Sequence, residues 1–411
     1  MNKMKKSDIF EYLYTQRYKK GIVPTLDRLL QIYNLEDLNI DSNKIIHIAG
    51  TNGKGSTSSF LKSILESADK RVAVFTSPHI KDIEERFYMT NVDDNLNNFI
   101  EKDRLTDILF AIKERVDSYQ NKHPYHFITF FEYMALAFFI WCSEENPDYI
   151  ILEVGMGGRF DATNIVDAKY GAITSISLDH TSYLGDRLED IAFEKAGIIK
   201  NNQITVLGDI QKNALDVIEK IALKKSKKLI KITDKTYLFN FNNPMLKASY
   251  QISNLKVAIS LAKNILPQIS QKSIQNGIDI AHWPARFEEI SQNPTILRDV
   301  AHNIEGMKLL KESISQNYKN RSIITIFTVM RDKDYINMLK IIDSISSFIV
   351  FTKPIERAED PIILQKLSQT KSLVIENPKE AFKKVKEIVK EYDNSMILAT
   401  GSIFLMEHIS F

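Results

Sequence analysis

The sequence predicts an α/β protein in two parts: a large N-terminal P-loop-type unit with a mostly parallel sheet, then a smaller C-terminal Rossmann-like α/β unit. Three observations carry this expectation. An apolar run (Ile45, Ile46, Ile48) enters Gly50-Thr-Asn-Gly-Lys-Gly-Ser-Thr57, and an amphipathic stretch, Phe60 to Leu65, leaves it. Strand, Gly-rich loop and helix in that order cradle anions, because glycines let backbone N–H groups point inward. Elsewhere short apolar runs alternate with stretches of helical period. His282-Trp-Pro-Ala-Arg286 interrupts that alternation, which then restarts, so the boundary is placed between residues 1–282 and 283–411. A chain of 411 residues is long enough for two such units.

Taken in order, Ser7 to Tyr18 and Thr25 to Tyr33 read as short helices, the second with Leu26, Leu29, Leu30 and Tyr33 at helical spacing and Thr25 as its cap. Lys44 to Ile48 is the first core strand. Arg71 to Phe75 is the next and ends in Thr76-Ser-Pro-His79. Asp103 to Val116 and Thr129 to Cys142 are helical. Asp148 to Val154 is a buried strand running into Gly155-Met-Gly-Gly-Arg-Phe-Asp-Ala-Thr-Asn164. Ala172 to Ser177 is a strand ending in Leu178-Asp-His-Thr181, and Leu188 to Gly197 is a helix holding Glu194 and Lys195. Ile204 to Leu207 and Leu229 to Ile232 are strands around a helix, Gln211 to Ala222; Lys247 to Leu266 and Ser273 to Ile280 are helices. Beyond the boundary the expected strands are Thr295 to Leu297, Ser322 to Phe327, Ser347 to Phe351, Ser372 to Ile375 and Ser395 to Ala399.

Composition excludes several classes. Charged residues are 26% of the chain but the net charge is only +2, so no nucleic-acid or membrane surface is expected. The run Lys224, Lys225, Lys227, Lys228 lacks interleaved aromatics and reads as a solvated face. The most apolar window, Phe130 to Trp141, is shorter than the ~20 residues of a membrane span and contains Glu132. No apolar segment follows the basic Met1–Lys6 start, so no signal peptide is read there. The single cysteine, Cys142, fits a reducing compartment, and the expected location is the cytoplasm.

In parallel sheets ligands collect at the carboxyl ends of strands, which brings together the phosphate loop, Ser77, Glu153 and His180. A lone carboxylate such as Glu153 at the end of a buried strand is costly unless it is ion-paired or binds a metal. A hydroxyl, a carboxylate and an imidazole can all bind Mg²⁺, though histidine is not its usual partner. The residues alone therefore point to an enzyme using ATP and Mg²⁺, with the second substrate open.

Segments across nearly the whole chain resemble the folylpolyglutamate synthase and dihydrofolate synthase family within the Mur-type amide ligases. They are Ala49 to Thr57, Phe75 to His79, Thr129-Phe-Phe-Glu132, Leu152 to Asn164, Leu178-Asp-His-Thr181 with Leu184-Gly185, Glu194 to Lys200, Trp283-Pro-Ala-Arg-Phe287, Asp299-Val-Ala-His-Asn303 and Thr400-Gly-Ser402. The resemblance implies an ATP-dependent ligase that joins L-glutamate to dihydropteroate, to folates, or to both, through an acyl phosphate.

Residue by residue, the resemblance implies Ser77, Glu153 and His180 as Mg²⁺ ligands, with Glu153, His180 and Lys195 as the catalytic set. Lys195 resembles a lysine carbamylated in this group, which would support a second Mg²⁺. Gly50, Asn52, Gly53, Lys54, Gly55, Ser56 and Thr57 would hold the ATP phosphates. Asn254, Arg286, Asp299 and His302 would complete the nucleotide site. Val23, Pro24, Thr25, Thr129, Phe130, Phe131, Glu132, Phe160, Asp161 and Ala162 would meet the pteroate part. A monomer acting on small molecules is expected.

The sequence departs from the family pattern at Val300 and Ala285, where glycine is usual, at Ile304, where proline is frequent, and at Ile83-Glu84. Two other readings compete. A Mur-type ligase acting on a cell-wall nucleotide precursor would lack use for Phe130, Phe131 and Asp161. A nucleotide-gated binding protein would not need Glu153, His180 and Lys195 together.

Overall fold

The computed structural model describes residues 5–17, 25–91, 98–123, 127–232, 239–240 and 242–409. Among these, two sheets organise the chain. The first has seven strands: β1 Ile45–Ala49, β2 Val72–Phe75, β3 Phe87–Met89, β4 Tyr149–Glu153, β5 Tyr170–Ile173, β6 Ile204–Leu207 and β7 Lys228–Lys231. Their spatial order is β3-β2-β4-β1-β5-β6-β7, parallel throughout except where β3 pairs with β2.

β1 is buried along its whole length, as a central parallel strand must be. Its side chains alternate between faces. Ile46 and Ile48 pack under the helices Lys54–Glu66 and Ser249–Ile265, whereas Ile45 joins the opposite core with Phe75, Phe87 and Phe138. That opposite core is dominated by the helix Phe130–Glu145. Thr129 caps this helix: its Oγ1 accepts from the Glu132 N–H, and the Glu132 carboxylate accepts from the Thr129 N–H at 2.6 Å. Asn146 ends it in the left-handed conformation. Among the described residues no helix is long and apolar enough to cross a membrane.

The second sheet has six strands: β8 Glu288–Gln292, β9 Thr295–Arg298, β10 Ser322–Phe327, β11 Phe348–Phe351, β12 Ser372–Val374 and β13 Ser395–Thr400. The order is β12-β11-β10-β13-β9-β8, with β8 antiparallel to β9. The last helix before it, Gln271–Ile280, and its first strand flank the His282–Arg286 segment.

The sequence reading missed β3 and β8. Both are antiparallel edge strands: β3 is three residues long, and β8 (Glu-Glu-Ile-Ser-Gln) lacks the apolar run of a buried strand. Thr25 is also one residue off as a cap. The helix is Asp27–Tyr33 with Leu26 at its N-cap, while the Thr25 hydroxyl accepts from the Asp27 N–H at 3.3 Å. The four lysines of the basic run are exposed, and Lys228 opens the edge strand β7, where charge discourages pairing with another chain.

Candidate active site

A cavity of about 580 Å³ opens where the carboxyl ends of β1, β2, β4 and β5 face those of the second sheet. Its floor is the phosphate loop. Gly50, Asn52, Gly53, Lys54, Gly55 and Ser56 line it, and the Lys54–Glu66 helix begins there with its first N–H groups free for an anion. Gly53 is left-handed, with φ +87°, and a Cβ on it would lie 2.1 Å from the Asn254 Oδ1. Asn254 therefore sits directly on the loop. Lys54 Nζ donates to the carbonyls of Gly50 (3.0 Å) and Thr51 (3.2 Å). Thr57 is fully buried one residue behind the lining, with its hydroxyl 3.5 Å from the Asn254 carbonyl.

Ser77, Glu153 and His180 come together on the cavity wall from β2, β4 and the turn after β5. Glu153 is 4% exposed and accepts one hydrogen bond, from the Ser77 N–H at 3.3 Å. Burial raises its carboxyl above the ordinary range, against the lowering charges of Lys54 and Arg286. Among the described residues no salt bridge joins Glu153 to either cation. A buried carboxylate so sparsely partnered, with the Ser77 hydroxyl and the His180 imidazole lining the same cavity, fits a hard divalent cation. Among the described residues no cluster of three or more His, Cys, Asp or Glu could by itself hold a metal ion. His180 holds an uncommon φ of +50° at the start of the Thr181–Leu184 helix. Strained residues of this kind persist where surrounding structure fixes them.

Lys195 projects from the Leu188–Ala196 helix into the same cavity and is 4% exposed. Its Nζ donates to the Gly50 carbonyl at 3.0 Å. Burial, reinforced by the charge of Lys54 and opposed by Asp179 and Asp161, lowers its pKa to about 7. The site therefore favours the neutral amine far more than water does.

The second sheet contributes Arg286, Asp299 and His302 to the opposite wall. Asp299 is held by its neighbours: one oxygen accepts from the Tyr250 hydroxyl and the Phe287 N–H (both 2.8 Å), the other from the Ala301 N–H (2.8 Å). These bonds shape the turn that presents Arg286. Both neighbours of Arg286 are left-handed, Ala285 at φ +56° and Phe287 at +53°. His302 bonds the Val300 carbonyl through Nδ1 (2.9 Å) and approaches Asp179 at 3.5 Å through Nε2.

Ala285 explains how the chain tolerates a residue where the family pattern has glycine. A left-handed alanine costs about 1–2 kcal/mol. Glycine would lose about 0.8 kcal/mol of methyl burial and gain unfolded-chain entropy worth about 0.4–1 kcal/mol. These terms nearly cancel. Ala285→Gly is expected to leave the thermal unfolding midpoint nearly unchanged, although Ala285 is fully buried, whereas Ala285→Val lowers it sharply. A large loss in the glycine variant would refute this account.

Several functional neighbours escaped the sequence reading. Lys333, in the loop after β10, lies 2.5 Å from the Asp179 carboxylate and 3.4 Å from His180 Nε2. Asn303 bonds Asp179 and Asn52. Burial alone would raise the Asp179 carboxyl, but the hydrogen bond and charge of His302, with Lys333 and His180, hold it well below the usual range. The Trp283 indole lies against Gly55. Lys333 carries no motif signal; Asn303 and Trp283 fall within family segments but only three-dimensional contact gives them a task.

The expected pteroate residues lie beside this cavity and not in its wall. Phe131 rests against Gly155, which does line it. Phe130 is 6% exposed and Ala162 3%, both in the core. Thr129 and Glu132 are engaged in the helix cap, with Arg28 3.4 Å from Glu132. Asp161 is buried and holds the N–H groups of Met156 and Thr163 and the Thr163 hydroxyl. Phe160 is 37% exposed beneath the Arg159 guanidinium. Thr25 is half-buried; Val23 and Pro24 lie outside the described residues.

Comparison with known proteins fits this two-walled cavity. Residues 48–261 match the Mur ligase middle domain and residues 285–403 the Mur ligase glutamate ligase domain. The chain is 32% identical to the dihydrofolate synthase/folylpolyglutamate synthase of Bacillus subtilis, over 96% of each chain. The solved structure of E. coli FolC in complex with DHPP and ADP is 25% identical, with a TM-score of 0.86 over 99% of this chain and 97% of that one. The bifunctional folylpolyglutamate synthase/dihydrofolate synthase of Yersinia pestis, complexed with AMPPNP and Mn ion, is 25% identical with a TM-score of 0.85, over 99% and 97%. With both Mur ligase domains present in order and the likeness running end to end, this chain belongs to the dihydrofolate synthase/folylpolyglutamate synthase family of Mur-type ligases.

Proposed function

We propose that this ATP-dependent, amide-forming ligase joins L-glutamate to the carboxylate of dihydropteroate, of reduced folates, or of both. The observation that carries the reading is the facing of the phosphate loop, Glu153 and Lys195 from the first unit with Arg286 and His302 from the second, across one cavity. A carboxylate is a poor acyl donor. In the proposed sequence its oxygen attacks the γ-phosphorus of ATP, the bond from that phosphorus to the β–γ bridging oxygen breaks, and ADP leaves. The glutamate amine then attacks the acyl carbon, phosphate departs with the C–O bond pair, and the nitrogen loses a proton.

Each group has a task in this reading. The loop N–H groups and Lys54 bind the ATP phosphates, and Arg286 adds a cation from the far wall, so closing the two units assembles the site and excludes water. Asn254 and Asp299 shape the nucleotide's surroundings. Ser77, Glu153 and His180 would hold Mg²⁺, which when bound offsets charge on the transferring phosphoryl group. The neutral fraction of Lys195 can add CO₂ and release a proton, giving a carbamate that would support a second ion. Phe131, with the neighbouring Phe130 and Asp161 segments, offers an apolar face for the pteroate rings. We take the active form as a monomer acting on small molecules, and the lone buried cysteine supports a cytoplasmic location.

The test is phosphate release from ATP, with Mg²⁺ and glutamate, measured separately with dihydropteroate and with tetrahydrofolate. Release with at least one is expected, and the pattern assigns the substrate. Silence with both would overturn the reading.

A further inference from the structure

Asn303 does two jobs at once. It caps the Ile304–Asn317 helix, its Oδ1 accepting from the Gly306 N–H at 2.8 Å. The same amide crosses to the first unit. It exchanges two hydrogen bonds with the Asn52 amide of the phosphate loop (3.0 and 3.2 Å) and donates to the Asp179 carboxylate at 3.0 Å. Those contacts use both protons on its nitrogen and both lone pairs on its oxygen. The residue is 4% exposed, so none of these bonds is a loosely held surface contact. Asn52 is in turn fixed to the end of β5, its N–H donating to the Ser175 hydroxyl and its carbonyl accepting from Thr174 at 2.6 Å. Asp179 also receives Lys333 from the second unit.

We propose that Asn303 is a positioning residue whose amide couples the seating of the second unit to the shape of the phosphate loop. Arg286 and His302 share its unit and reach the cavity in the arrangement that these bonds define. When the Asn52–Asn303 pair opens, the loop keeps its fold through β5 and Lys333 on Asp179 and Tyr250 on Asp299 still tether the second unit, but among the described residues no bond then sets the far wall directly against the loop. A misplacement of about 1 Å at a reacting centre costs on the order of 100-fold in rate. Asn303 therefore acts mainly on the phosphoryl-transfer step, nucleotide capture being left largely to the loop N–H groups and Lys54.

Two substitutions separate this task from helix capping, since Ser and Asp are both good caps. Asn303→Ser keeps the cap and removes the cross-unit amide. Asn303→Asp keeps the cap and sets a carboxylate against Asp179. Expected for Asn303→Ser is a fall in kcat of about 30- to 100-fold, with the ADP dissociation constant and the unfolding midpoint near wild type. Asn303→Asp should fall further, because like charges oppose each other. Small-angle scattering should show both variants more extended than wild type, and ADP should not restore the compact curve. Wild-type kcat and scattering in Asn303→Ser, or an Asp variant more active than the Ser variant, would overturn the proposal. Its kinetic arm rests on the ligase reading. If wild type itself turns over neither acceptor, that reading fails, and scattering still decides the role of Asn303.

Discussion

Lys195→Ala is expected to lower turnover by at least about 10²–10³-fold, the range seen when one preorganised electrostatic group is removed from a transition state. ADP binding should be largely retained, because the loop N–H groups and Lys54 remain. Lys195→Arg should be as inactive as the alanine variant. It restores a cation, but a guanidinium cannot form the proposed carbamate and does not fit a site that lowers a lysine to about pH 7. The pH dependence follows in sign. The folded pKa lies below the ordinary lysine value, so the neutral amine grows as pH rises through about 7. After removal of dissolved CO₂, added bicarbonate should restore activity more fully at pH 8 than at pH 6. Full activity in Lys195→Arg, or indifference to bicarbonate at both pH values, would show that the lysine has another role.

What the sequence disclosed depended on how locally each feature is encoded. β4 and β10 are continuous apolar runs because both faces are covered, and such runs are read without any knowledge of the partner strands. β8 belongs to the sheet only through β9, and its glutamates are tied to groups outside the strand: Glu288 to its cross-strand partner Arg298 at 2.6 Å and Glu289 to the Tyr318 hydroxyl at 2.8 Å. No periodicity announces a strand stabilised that way. The same holds for the site. The phosphate loop, Glu153 and Lys195 sit in short segments with their own signature. Lys333 acquires meaning only because Asp179, distant in the chain, turns toward it. Asp161 illustrates the reverse case: the segment around it is recognisable, but whether its carboxylate faces a ligand or its own loop is decided by three hydrogen bonds it accepts, from the Met156 and Thr163 N–H groups and the Thr163 hydroxyl.

Gly53→Ala is expected to raise the ATP concentration needed for half-maximal rate by about 100-fold. Two independent costs produce this. The residue is left-handed, which costs an L side chain about 1–2 kcal/mol. Its Cβ would also lie 2.1 Å from the Asn254 Oδ1, so either the loop or Asn254 must move, and both are expected to hold nucleotide. Gly55→Ala tests a different constraint in the same loop. Gly55 is already inside the Lys54–Glu66 helix, where alanine is intrinsically favoured by about 0.8–1 kcal/mol. Its obstacle is the Trp283 indole, 2.7 Å from the Cβ position, contributed by the segment that joins the two units. Removing the indole should remove the penalty, so Gly55→Ala combined with Trp283→Leu is expected to bind ADP more tightly than Gly55→Ala alone. Gly53→Ala should gain nothing from Trp283→Leu. If instead both alanine variants respond alike to loss of the indole, the second glycine is required by phosphate and not by the joining segment. With the expected outcome, the glycine that separates Lys54 from Ser56 is explained by packing of the joining segment against the loop and not by contact with phosphate.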